Sequence, residues 1–160
     1  MLKKIGVIGG GNIGGVLVQE IARRGLAREV GLMDIQEPAF AHGKCLDIAE
    51  GTPMLGANVK LVGSTSYDVL AGCDLVINTA GVPRKPKPDG SLPTREELLT
   101  TNLKITKMVA GGFKEYCPDA ILISIANPLD AIVYTLYKEL SPPRSKLFGM
   151  AGALDSARYR

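Results

Sequence analysis

Short β-branched apolar runs recur along the chain, at residues 4–8, 29–33, 59–62, 75–78, 120–125 and, more weakly, 146–148. Runs of this length and composition predict six strands. Between them lie helical patterns at 13–24, 40–50, 95–116 and 128–140, so strands and helices mostly alternate. Alternation of this kind predicts parallel strands joined by right-handed crossovers. The continuous apolar run Ala120-Ile121-Leu122-Ile123 leaves no polar face, which predicts strands covered on both sides. The expected class is therefore α/β: a doubly wound parallel sheet with helices on both faces.

The helix expected from Arg95 carries its own punctuation. Thr94 can cap its start, Glu96 and Glu97 suit the positive end of its dipole, and Pro118 follows its end. The two glutamates read as a capped first turn rather than as an acid/base pair. One stretch breaks the rhythm: residues 81–93 hold Pro83, Pro86, Pro88 and Pro93 together with Gly90, which excludes regular structure. Long irregular segments inside compact domains are commonly lids or binding loops.

A chain of 160 residues suits one compact domain, and 46% hydrophobic with 22% charged residues excludes intrinsic disorder. The net charge of +3 is small and its basic residues are scattered, so a nucleic-acid partner is not expected. The densest basic group, Arg84-Lys85 with Lys87, falls in the proline-rich loop. Cys45, Cys73 and Cys117 are odd in number and widely spaced, against both a disulfide framework and a zinc site. A reducing cytoplasm fits that pattern best. The first residues read as a strand running into glycines rather than as a signal peptide, and no stretch approaches the roughly 20 apolar residues of a membrane helix.

Directly after the first strand stands Gly9-Gly10-Gly11-Asn12-Ile13-Gly14, a G-x-G-x-x-G pattern with Gly9, Gly11 and Gly14 in register. The first glycine permits a tight turn, the second lets backbone approach a diphosphate, and the third lets the helix pack closely on the strand. The helix that follows aims free N–H groups and a positive dipole end at the phosphates. Asp34, twenty residues beyond Gly14, closes the second strand, where a carboxylate can accept hydrogen bonds from the adenosine ribose. The same charge repels the extra phosphate of NADP. NAD is the expected cofactor.

Further motifs are Thr79-Ala80-Gly81-Val82-Pro83-Arg84-Lys85-Pro86, then Arg95-Glu96-Glu97-Leu98-Leu99 with Asn102, Asn127-Pro128-Leu129-Asp130, and Leu154-Asp155-Ser156-Ala157-Arg158-Tyr159-Arg160. With the glycine pattern they make the chain resemble, from end to end, the N-terminal half of the malate and lactate dehydrogenase family. The resemblance is nearest to malate dehydrogenases built on the lactate dehydrogenase plan. It implies that residues 1–160 form a dinucleotide-binding (Rossmann) domain, with the substrate domain lying outside this chain. It also implies reversible hydride transfer between nicotinamide and a 2-hydroxy or 2-oxo acid.

By position, the resemblance implies cofactor contacts at Gly9, Gly11, Asn12, Ile13, Gly14, Asp34, Ile35, Thr79, Ala80, Gly81, Asn102 and Asn127. Arg158 would hold the substrate's C1 carboxylate through a bidentate pair. Arg95, on the mobile loop, would polarise the reacting carbonyl when the loop closes. Asn127 would orient substrate and nicotinamide. Arg84 would pair with the distal carboxylate of oxaloacetate, where lactate enzymes place a neutral residue. A small dicarboxylic 2-hydroxy or 2-oxo acid is then the expected substrate of the completed enzyme.

Two departures qualify the resemblance. Arg84 and Arg95 stand eleven positions apart, several more than the family's usual spacing, which places an insertion at 87–93 and opens lactate and pyruvate as the alternative specificity. Longer loops of this sort occur among apicomplexan lactate dehydrogenases. Asp155 resembles the carboxylate that orients a catalytic imidazole, yet the only histidine is His42, on the adenosine side of the fold. The chain is therefore expected to bind cofactor with negligible turnover, as half of an oxidoreductase or as a stand-alone cofactor-binding module. Self-association through residues 40–54 is a further expectation, since the resemblance places dimer contacts there.

Overall fold

The computed structural model describes residues 1–86 and 90–160. Lys87, Pro88 and part of the expected insertion lie outside the described residues. Six parallel strands form one sheet in the order β3-β2-β1-β4-β5-β6. They are β1 (Leu2–Ile8), β2 (Ala27–Met33), β3 (Lys60–Ser64), β4 (Leu75–Asn78), β5 (Ile121–Ser124) and β6 (Leu147–Gly149). This is the doubly wound order, in which the winding reverses between β1 and β4.

Helices α1 (Asn12–Arg23) and α2 (Pro38–Gly51) cover one face, while α3 (Arg95–Tyr116) and α4 (Leu129–Leu140) cover the other. Each helix lies within a residue or two of the pattern that predicts it. A fifth, α5 (Gly152–Tyr159), was not expected as a helix, and none of its residues is buried. Helices of that kind leave no apolar stripe to detect.

Side chains alternate across the sheet with the period of two that strands impose. Ile5 and Val7 of β1 join Val18, Ile21 and Val30 on the α1/α2 side, whereas Ile8 joins Val76, Phe113 and Leu122 on the other. On that second side Gly6 and Gly31 bear no side chain. A Cβ at Gly6 would come within 2.7 Å of Leu70 Cδ2, and one at Gly31 within 2.5 Å of the Val69 carbonyl. These two gaps let the short 3-10 segment Tyr67–Leu70 lie directly on the sheet.

Lys4 and Glu29, both half-buried, and the exposed Lys60 stand in register on β1, β2 and β3. Glu29 accepts from Lys4 at 2.8 Å and from Lys60 at 3.0 Å. These two cations hold the Glu29 carboxyl below its ordinary range, hydrogen bonding to Lys4 being the largest cause. No described helix is long and apolar enough to cross a membrane.

Candidate functional site

Doubly wound sheets bind ligands beyond the carboxyl ends of their strands, at the point where the winding reverses. Here that point lies between Ile8, closing β1, and its neighbour Asn78, closing β4. The chain leaves β1 through Gly9, whose φ of +95° demands glycine. A Cβ at Gly9 would also press on Thr79 Oγ1 at 2.8 Å and on the Ala80 nitrogen at 2.9 Å. A Cβ at Gly14 would overlap the Gly9 carbonyl outright. Gly9 and Gly14 are therefore the turn and packing glycines that the motif predicts.

Gly11 differs. A Cβ there would meet nothing within 4 Å, so the missing side chain opens on free space at the start of α1. Gly11 is also the N-cap of α1, which has no side-chain cap and no acidic residue in its first turn. The first amides of a helix lack intrahelical acceptors, and here no side chain answers them. Helix α3 shows the opposite choice. Thr94 accepts from the Glu97 N–H at 3.1 Å while Glu97 accepts from the Thr94 N–H at 2.8 Å, and Glu96 adds charge. One helix start is sealed by its own sequence and the other is left for an anion.

Asp34 is buried at the end of β2. Its Oδ2 accepts from the Gly10 N–H at 2.5 Å and its Oδ1 from the Gln36 N–H at 2.9 Å. Two carboxylate oxygens offer about four lone-pair sites, so capacity remains for the hydroxyls of a sugar. Ile13 and Ile35 are both exposed, at 64% and 73%, apolar groups on either side of this turn that no core contact explains.

Across the switch point Thr79 Oγ1 lies 3.0 Å from the Ile8 carbonyl and 2.9 Å from that of Gly9, donating to one or the other. Asn78 is wholly buried: its Oδ1 accepts from the Ala80 N–H at 3.1 Å and its Nδ2 donates to Ser124 Oγ at 3.2 Å. Asn102, 2% exposed, accepts from the Val82 N–H at 2.8 Å and donates to the Asn127 carbonyl at 3.0 Å. Asn102 thus braces the strand ends around Gly81, Val82 and Asn127. Sequence reading missed Asn78 and Ser124 altogether. The available signal was a polar residue at the end of each of two apolar strands.

The arginines lie further out. Arg84 is exposed and its Nε donates to the Pro93 carbonyl at 3.1 Å, joining it to the chain two residues before Arg95 begins α3. Between the loop stem and α3 lies a cleft of about 690 Å³ lined by Val82, Pro83, Lys85, Pro93, Glu97 and Thr101. Asp155 and Arg158 face one another on α5 at 3.3 Å, both largely exposed. His42 is exposed on α2, its backbone packed on Gly63 of β3. The structure therefore gathers the glycine turn, Asp34, Thr79 and Ala80 at one point, joins Asn102 to Asn127, and carries Arg84 on the loop, Arg95 on α3, and Asp155 with Arg158 on α5.

Among the described residues no group of acidic, histidine and cysteine side chains could hold a metal ion. The three thiols are free and buried, and burial pushes Cys45 and Cys73 up to about 11 and Cys117 up to about 12. Thiols in that state are packing groups, not nucleophiles.

A family profile described as lactate/malate dehydrogenase, NAD binding domain, matches residues 3–149. The malate dehydrogenase of Sorangium cellulosum is 46% identical over 159 residues, 99% of this chain and 49% of that protein. Among solved structures, a Cryptosporidium parvum malate dehydrogenase superposes with a TM-score of 0.89 at 42% identity, covering 99% of this chain and 48% of the other. The lactate dehydrogenase of Cryptosporidium parvum, solved with lactic acid and nicotinamide adenine dinucleotide, gives the same TM-score, identity and coverage. The chain spans about half the length of these relatives. With its sheet order, its glycine turn and its uncapped first helix, the chain belongs to the NAD-binding domain family of the lactate and malate dehydrogenases.

Proposed function

We propose that residues 1–160 are the cofactor-holding unit of a malate dehydrogenase-like oxidoreductase, the substrate walls and the proton-transferring imidazole being supplied from outside this chain. The observation that carries it is the open helix start at Gly11 beside the buried Asp34 carboxylate. The amides of Asn12 and Ile13 bind a diphosphate and Asp34 binds the adjoining ribose. Ile35 and Ile13 flank the adenosine end, while Thr79, Ala80, Gly81 and Asn127 line the path towards the nicotinamide. When bound, the cofactor supplies the hydride.

In the completed enzyme Arg158 and Arg84 grip the two carboxylates of oxaloacetate or malate, and Arg95 polarises the reacting carbonyl. Asp155 orients the imidazole and Arg158 leaves its present partner for the substrate. Support for a dicarboxylic substrate is the second arginine, Arg84, at the loop stem. His42 does not replace the imidazole, because it sits on the outer surface of α2. Loss of the general acid/base removes about 10²–10⁴ in rate.

Fluorescence titration of the chain with NADH, followed by an oxaloacetate reduction assay at high protein concentration, tests this. Saturable binding with negligible turnover is expected. Absence of NADH binding overturns the reading, and turnover abolished by His42→Asn overturns the role given to that histidine.

A further inference from the structure

Lys44, in α2, is half-buried and leans across to α1. Its Nζ lies 4.8 Å from the centre of the Phe40 ring and 3.1 Å from the point that a Cβ at Gly15 would occupy. Phe40 in turn reaches the glycine turn, its Cε1 standing 3.1 Å from the Cβ position of Gly10, where Asp34 Oδ2 stands at 3.2 Å. Helix α2 thus sets an ammonium and a ring against the turn and the first turns of α1. Gly15 makes this approach, since any side chain there would meet the ammonium.

Among the described residues the ammonium has no carboxylate of its own. None of the ion pairs among the described residues includes Lys44, and the Asp34 carboxylate turns to the Gly10 and Gln36 amides rather than to it. A cation beside the positive end of a helix dipole is unfavourable unless an anion joins both. The Phe40 ring offsets only part of that cost.

We propose that Lys44 is a further cofactor-positioning residue, its ammonium facing the diphosphate of the dinucleotide from the α2 side while the α1 amides face it from below. This rests on the cofactor reading above. The glycine motif gives no hint of it, because Lys44 belongs to the next helix. A lysine acting on an anion as a mobile point charge is sensitive to ionic strength in a way that backbone amides are not.

The test compares the wild-type chain with Lys44→Met, which keeps the stem over Phe40 without its charge, and with Lys44→Arg. NADH, ADP-ribose and adenosine are titrated at low and high salt, with circular dichroism and thermal melting to follow the fold. The expected result for Lys44→Met is NADH and ADP-ribose affinity about fivefold weaker, a flatter salt dependence and unchanged adenosine binding. Lys44→Arg should recover most of the loss. Unchanged NADH affinity in Lys44→Met, or an equal loss for adenosine, overturns the proposal while leaving the cofactor reading intact. A wild-type chain that binds no NADH overturns both.

Discussion

The carboxylate of Asp34 accepts the backbone N–H of Gly10, a bond spanning two strands that fixes the glycine turn from the end of β2. One side chain therefore shapes the turn through one oxygen, and in the proposed function it also binds the ribose with its remaining acceptor capacity. The motif spacing predicts the ribose contact and is silent on the bond to Gly10.

Replacing Asp34 with Ser should consequently do more than lower affinity. NADH binding is expected to weaken by about tenfold, with discrimination against NADPH relaxed, as hydrogen bonds to a charged acceptor are lost. Leaving the Gly10 amide without its partner should also destabilise the fold by about 1–2 kcal/mol. Parallel calorimetric titrations and urea denaturation measure both; unchanged affinity for NADH and NADPH would refute the assignment.

Gly14→Ala asks a sharper question of packing. The added methyl overlaps the Gly9 carbonyl, which is backbone and cannot rotate away. A loss of about 3 kcal/mol in stability is expected, with NADH binding abolished because the helix start is pushed off the turn. Gly11→Ala places its methyl in open space and should leave stability within about 0.5 kcal/mol, yet it should still weaken NADH binding.

The Lys4–Glu29–Lys60 ladder gives a pH signature. Glu29 has a lowered folded-state pKa, so its contribution is complete above the unfolded carboxyl range and disappears as pH falls through the folded value. Glu29→Gln should cost about 0.5–1 kcal/mol at pH 7 and progressively less as pH falls through the lowered folded-state pKa of Glu29, where the wild type loses the same interaction. Chemical denaturation at several pH values checks this, and a constant difference across that span would remove the ladder from the account.

The cysteines should be silent in the native state. At pH 8 a thiol-specific disulfide reagent is expected to find no fast-reacting group, and all three should react once the chain is denatured. A rapid stoichiometric reaction of the folded protein would contradict their burial.

Much of this molecule was legible in its sequence because the strands at its centre are buried on both faces and must be apolar throughout. Arg95 to Tyr116 was predicted to the residue, since a capping threonine, two first-turn glutamates and a following proline mark its ends. The glycine pattern was equally readable, each position having a distinct steric reason. What escaped was whatever depends on partners distant in sequence: the buried Asn78–Ser124 bond, the bracing of Asn127 by Asn102, and the approach of Lys44 to Gly15. Helix α5 escaped for another reason. It buries nothing, so no hydrophobic period announces it.

The interlock of Gly14 against the Gly9 carbonyl has one more consequence, for kinetics. A turn already locked in shape has little disorder to surrender when a ligand arrives, so capture of a dinucleotide needs no slow rearrangement there. Stopped-flow mixing with NADH should then give a single phase whose rate climbs in proportion to ligand concentration, with no plateau from a preceding isomerisation of the turn.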